Sequence, residues 1–268
     1  MKSFLTAVKF LTILPISKKL VPQDKELAKS AVYFPLVGAL IGLLLVAVDF
    51  ILRPFFPNLI VNLFILITLI LVTGALHLDG FMDSVDGLFS GRNKNRILEI
   101  MRNSKVGSFG VISVICLLLL KLSFLNEIQS GIRYSVLILI PVLSRWAVVY
   151  AAKNYSYARN TSGTGEPFAR LVVRRELVGA TLFAALLVGL LSQMKGITTK
   201  QGFDISNLLG FIMIWFTVFI SLFLLSKWIN KKLGGMTGDT YGAIIEITEV
   251  VVLVSVYCFN SINLSLYG

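Results

Sequence analysis

Long apolar runs separated by short polar segments set the rhythm of the chain. Runs at about 31–52, 57–76, 106–125, 133–152, 177–194, 205–226 and 241–260 each approach the roughly 20 residues that a helix needs to cross a bilayer. The pattern predicts an all-α, polytopic membrane bundle of about seven spans. Neither an internal repeat nor a low-complexity tract interrupts it, so residues 1–268 read as one membrane-embedded domain. Residues 1–29 differ. They are basic and partly amphipathic, with Phe4, Leu5, Val8, Phe10, Leu11 and Leu14 set among polar positions. Such a stretch is expected to lie on the membrane surface.

Composition supports this reading. Of 268 residues, 56% are hydrophobic and 15% charged, against about 25% charged in a typical soluble domain. The mean hydropathy is +0.83. The net charge of +11 invites a nucleic-acid partner. Its distribution argues against one: 19 of the 25 Lys and Arg residues fall in alternate connections, on one side of the predicted bundle. Basic residues collect in cytoplasmic loops. The N-terminus is therefore expected in the cytoplasm and the C-terminus outside, in the cell (inner) membrane. The opening thirty residues lack a signal-peptide pattern. Cys116 and Cys258 lie in apolar runs and read as small packing residues. The sequence is compatible with a homo-oligomer but does not require one.

The chemistry concentrates at two places. The segment His77-Leu78-Asp79-Gly80-Phe81-Met82-Asp83-Ser84-Val85-Asp86-Gly87 directly follows the second run. At about 100° per residue, a helix puts Asp79, Asp83 and Asp86 on one stripe. Three like charges at a membrane boundary are costly. A hard cation would neutralise them, and magnesium takes oxygen ligands, often one or two carboxylates together with substrate phosphates. A solvated acidic helix end fits less well, because these acids alternate with Leu, Phe, Met and Val. Gly80 and Gly87 lie beside the stripe and would admit a substrate or another helix. His77, the only histidine, faces away from the stripe on a continuous helix. In an irregular segment it would suit a proton carrier or phosphate donor. The basic stretch that follows offers Arg92, Arg102 and Lys105 to lipid headgroups or to phosphate oxygens. Ser104 to Ser108 precede a helix start, where backbone N–H groups favour anions.

The second place is the Gly-rich turn Leu233-Gly234-Gly235-Met236-Thr237-Gly238-Asp239-Thr240-Tyr241-Gly242. It lies on the same predicted side and runs into a helix, an arrangement that can cradle phosphate. Asp239 and Glu246 share a helical face if the helix begins near Asp239. Glu246 and Glu249 fall inside an apolar run, where unpaired acids point to function. Pairing with Arg145, itself inside a run, is the structural alternative. The spacing predicts that both stretches contribute to one composite site.

The run His77-Leu-Asp79-Gly80-x-x-Asp83-x-x-Asp86-Gly87-Leu-Phe-x-Gly91-Arg92, followed by Glu99-Ile-Met101-Arg-x-Ser104-x-x-Gly107-x-Phe-Gly110, resembles the cobalamin synthase family. So does Leu233-Gly-Gly-x-Thr237-Gly238-Asp239-Thr-x-Gly242-Ala-x-x-Glu246, and so do Phe10-Leu-Thr-Ile-Leu-Pro15 and Phe34-Pro35-x-Val-Gly38-x-x-Ile-Gly42. The resemblance spans essentially the whole chain. It implies transfer of the adenosylcobinamide phosphate group from adenosylcobinamide-GDP to α-ribazole or its 5′-phosphate. Adenosylcobalamin (or its 5′-phosphate) and GMP result, with Mg2+ as cofactor, in the last steps of cobalamin biosynthesis. On that reaction Asp79, Asp83 and Asp86 are expected as metal ligands. Asp239 or Glu246 would complete the site or act as base, with His77 a further candidate. Gly80, Gly87, Arg92, Lys105, Arg159 and Thr237 are the expected contacts to substrate and phosphate. A CDP-alcohol phosphotransferase of phospholipid synthesis shares Asp83-x-x-Asp86-Gly87, but it needs a second Asp pair soon after, and residues 88–202 contain no Asp. A cation transporter would place its acids near the bilayer midplane, often in repeated halves.

Overall fold

The computed structural model describes residues 2–16, 21–103, 105–194 and 205–267. Lys18, Lys19, Ser104, Lys195 and Lys200 lie outside the described residues. In chain order the helices are α1 (Lys2–Leu11), α2 (Asp24–Ser30), α3 (Phe34–Leu52), α4 (Asn58–Val72), α5 (Leu76–Leu88), α6 (Lys94–Ile100), α7 (Ser108–Asn126), α8 (Arg133–Asn154), α9 (Glu166–Leu171), α10 (Arg174–Ser192), α11 (Ile205–Leu233) and α12 (Gly238–Tyr267). Among the described residues the sole β-type pairing is an isolated parallel bridge between Tyr157 and Met236.

Six stretches are long and apolar enough to cross a membrane: Asp24–Leu52, Ser108–Asn126, Arg133–Asn154, Arg174–Ser192, Asn207–Leu233 and Gly238–Phe259. The run expected at 57–76 departs from prediction. It splits into α4 and α5, which meet at 87° and make a seventh crossing only if taken together. Gly74 and Ala75 both have positive φ, 61° and 56°, and such left-handed residues end helices. Ala75 holds that conformation despite its side chain, at a cost of roughly 1–2 kcal/mol. The Ile13 N–H bonds the Val72 carbonyl at 2.8 Å, so the segment after α1 fastens the break.

Helix α8 is the axis of the bundle and is buried along almost its whole length. Helix α3 touches its backbone. A Cβ on Gly38 would come within 2.3 Å of the Pro141 carbonyl oxygen, and one on Gly42 within 2.5 Å of the Ile138 Cα. Small residues permit this approach, which dispersion and packing stabilise in a membrane. At one end of α8, buried Asp49 accepts from Arg133 Nε at 2.8 Å and from Arg53 Nε at 3.0 Å. Arg133 also donates to Asn62 and so ties α3, α4 and α8 together. The outer faces of α3, α4, α7, α10 and α11 present Leu43, Phe64, Ile112, Leu182 and Phe216. Lipid is the solvent that matches such a surface. Cys116 and Cys258 are exposed too, rather than packed inside as the sequence suggested.

Candidate active site

Helix α5 runs between the first turns of α12 and α7. On the α12 side a Cβ on Gly80 would meet the Asp239 carbonyl oxygen at 2.9 Å, and one on Gly242 would meet the His77 carbonyl oxygen at 2.9 Å. The two helices therefore pass with backbones nearly touching. On the α7 side Asp86 accepts the N–H groups of Gly107 and Gly110, both at 2.8 Å. A carboxylate at a helix N-terminus satisfies orphan donors and meets the positive end of the dipole. Any side chain at Gly107 or Gly110 would strike it, since the Cβ positions lie 2.4 and 2.6 Å from its oxygens. The sequence pattern Gly107-x-Phe-Gly110 thus makes room for Asp86. At the other end of α5, Lys232 Nζ donates to the Leu88 carbonyl at 2.8 Å.

The two acidic stretches lie side by side, as the sequence led one to expect. Asp83 stands in the field of Asp79, Asp239 and Asp86, with Arg159 as the opposing charge. Asp239 accepts from Arg159 Nη2 at 2.6 Å and from the Thr237 hydroxyl at 3.3 Å. Arg159 arrives from the loop after α8. Met236 N–H bonds the Ser156 carbonyl at 2.7 Å, and Ala158 N–H bonds the Met236 carbonyl at 2.8 Å. That pairing needs a glycine at 235, where a Cβ would lie 2.4 Å from the Ser156 oxygen. In the same loop, burial pushes the Tyr157 hydroxyl above the usual tyrosine range against the pull of Arg159, which keeps it neutral. Beside the carboxylates opens a small, mostly apolar cleft, lined in part by Phe10, His77, Asp79, Phe168, Asp239 and Tyr241.

Several predicted residues have other places. Glu246 is not at the carboxylate rim. It lies deeper in α12, with Lys121 Nζ 2.6 Å away. Glu249 takes the same ammonium at 2.6 Å and is bonded by Arg145. Glu249 thus has the Arg145 partner that the sequence offered, whereas Glu246 is held by Lys121 instead, and both acids share that ammonium. Thr237 is fully buried; its hydroxyl accepts the Thr240 N–H at 3.2 Å as a helix cap, so it is not open to phosphate. Gly87 packs against Met101 and Ile97 of the α6 region, and Gly80 against α12. Both admit helices. His77 is buried between the cleft and the Lys121 cluster. Arg92 and Lys105 are exposed in the connection between α5 and α7.

Among the described residues no three Asp, Glu, His or Cys side chains converge closely enough to hold an ion by themselves. Both Asp86 oxygens are already engaged by backbone donors. Asp79 and Asp83 form an all-oxygen donor pair, which fits magnesium when phosphate oxygens supply the remaining ligands. The cleft and the anchoring role of Asp86 escaped sequence reading. The glycines at 107 and 110, three apart before an apolar run, were the one available signal for the latter.

Residues 3–257 match the family model described as Cobalamin-5-phosphate synthase. The adenosylcobinamide-GDP ribazoletransferase of Desulforamulus reducens is 39% identical over 92% of each chain. That of Thermoanaerobacter pseudethanolicus is 35% identical over 98% of each. That of Clostridioides difficile is 35% identical over 96% of this chain and 97% of its own. No solved structure matches the chain.

Proposed function

The chain belongs to the Cobalamin-5-phosphate synthase family, and from that membership we propose that it transfers the adenosylcobinamide phosphate group from adenosylcobinamide-GDP to α-ribazole or its 5′-phosphate. The observation that carries the reading is the meeting of Asp79, Asp83, Asp239 and Arg159 at one rim, from three separate stretches of chain. Neither the phospholipid-synthesis reading nor the transporter reading finds support in the comparisons.

In this reaction an acceptor hydroxyl oxygen bonds to the phosphorus that bears the cobinamide. The bond from that phosphorus to the bridging oxygen breaks, and GMP leaves with the electron pair. The hydroxyl proton passes to a carboxylate. Asp239 lines the cleft and is held by Arg159 and Thr237, which suits it to orient and deprotonate the hydroxyl. Arg159 reaches the same rim and would steady phosphate oxygens with the donors that Asp239 does not use. Asp79 and Asp83 would hold magnesium, and Asp86 positions α5 against α7. Bound there, magnesium supplies neutralisation of the charge on the pyrophosphate oxygens. The charge bias of the connections supports a cytoplasmic N-terminus and a rim on that side of the cell membrane.

The test is an assay of the purified protein in lipid, with adenosylcobinamide-GDP, α-ribazole and magnesium. Wild type should release GMP and form adenosylcobalamin. Asp83→Asn, which keeps the volume and removes the charge, should lower turnover by about a hundredfold or more, on the scale of lost electrostatic stabilisation. Full activity in that variant would remove Asp83 from the reaction.

A further inference from the structure

The cleft beside the carboxylates has walls of a different chemistry from its rim. Phe10 of α1 and Phe168 of α9 stand with ring centroids 4.6 Å apart, and Phe34 backs them at 5.4 Å from Phe168. Val148 of α8 and Ile245 of α12 line the same space. Asp79 and Asp239 line it from the carboxylate rim. Tyr241 also lines it, 5% exposed, with a buried hydroxyl that has no hydrogen-bond partner among the described residues. A buried hydroxyl without a partner is costly and calls for one.

We propose that this cleft is the acceptor subsite: it takes the flat, apolar base of the α-ribazole nucleoside, with the ribose hydroxyls turned toward Asp79 and Asp239. The proposal rests on the transfer reaction put forward above and assigns one of its two substrates to named walls. Ribazole carries a dimethylated benzimidazole, a bicyclic ring with methyl groups at one edge and a single unsubstituted ring nitrogen that accepts one hydrogen bond. Aromatic and aliphatic walls suit the ring and its methyls. The Tyr241 hydroxyl, buried and without a partner among the described residues, suits that acceptor. The other substrate fits badly. Guanine presents a polar edge of several donors and acceptors, which these walls would leave unpaired. A corrin would likewise leave its amide side chains unpaired against these walls. Position agrees with chemistry, because a nucleoside seated by its base here brings its sugar to the carboxylate that would deprotonate it.

Two variants and two readouts test the assignment, in protein reconstituted into lipid nanodiscs. Tyr241→Phe removes one oxygen and keeps the packing. It should raise KM for α-ribazole about five- to tenfold, the size of one lost hydrogen bond, and leave KM for adenosylcobinamide-GDP within about twofold. Val148→Phe fills the cleft and should raise the α-ribazole KM further, by more than about tenfold, with less effect on the unmethylated benzimidazole riboside. A fluorescence titration with α-ribazole alone should show the same losses without turnover. The subsite is wrong if both variants bind α-ribazole as wild type does, or if the two KM values rise together. If Val148→Phe does not accumulate, Tyr241→Phe decides alone. A wild-type protein that makes no product would strike the transfer reaction instead, and the titration would still judge the cleft.

Discussion

Lys121, Glu246, Glu249 and Arg145 form a closed group of two cations and two anions, each at most 5% exposed. Lys121 lies 13 residues into α7, roughly 20 Å from its start at 1.5 Å per residue. At that depth an unpaired charge is expensive, and each member exists because the others do. This explains two acids inside an apolar helix without asking them for catalysis. Lys121→Met should destabilise the protein by about 3–5 kcal/mol, since it leaves two carboxylates to one guanidinium. Thermal unfolding in detergent would register the loss. Adding Glu246→Gln removes the stranded charge and should recover much of it. An unchanged midpoint in the single variant would mean that the pairing contributes nothing.

Helices α5 and α12 meet through Gly80 and Gly242, and this contact sets how near Asp239 stands to Asp79 and Asp83. Gly80→Ala must push on the Asp239 backbone, where the new Cβ would lie 2.9–3.0 Å from backbone atoms. Turnover should fall about tenfold or more, because a shift of a few tenths of an ångström spoils the alignment of reacting groups. Gly189→Ala in α10, with nothing within 4 Å of its Cβ, should leave turnover unchanged. Steady-state kinetics on the pair separates a geometric effect from a general loss of helix flexibility. The glycines were visible in the sequence as places of close approach. Which partner each would meet was not, because a missing side chain does not say what fills its space.

At the scale of the whole molecule, the buried acids Asp49, Glu246 and Glu249 are neutralised by Arg and Lys within the bundle, whereas the carboxylate rim is left with Arg159 as its opposing charge. Chelating magnesium should therefore abolish turnover and leave the unfolding midpoint in place. A midpoint that falls with chelation would move the ion from the reaction to the fold. The direction of insertion is a second property at this scale. With 19 of 25 basic residues on one side, a reporter fused after Gly268 should read outside the cytoplasm. A cytoplasmic signal would mean that the bent pair α4 and α5 does not complete a crossing.

Helix content and the approximate spans were legible in the sequence, and the charge bias gave an orientation to test. They depend on local quantities: apolar run length and residue spacing on a helix. The acidic stripe belongs to the same class, since Asp79, Asp83 and Asp86 share a face by helical geometry alone. What tertiary structure decided was the exact partner of each charged group across long separations in the chain. Asp86 went to the α7 N-terminus because two glycines opened a seat for it there. Glu246 went to Lys121 because the crossing of α7 and α12 brought an ammonium to its depth. The 57–76 run broke because two left-handed residues, fastened by the segment after α1, turned the chain toward α12. The apolar cleft formed where α1, α5, α8, α9 and α12 converge, and no single helix carries its pattern.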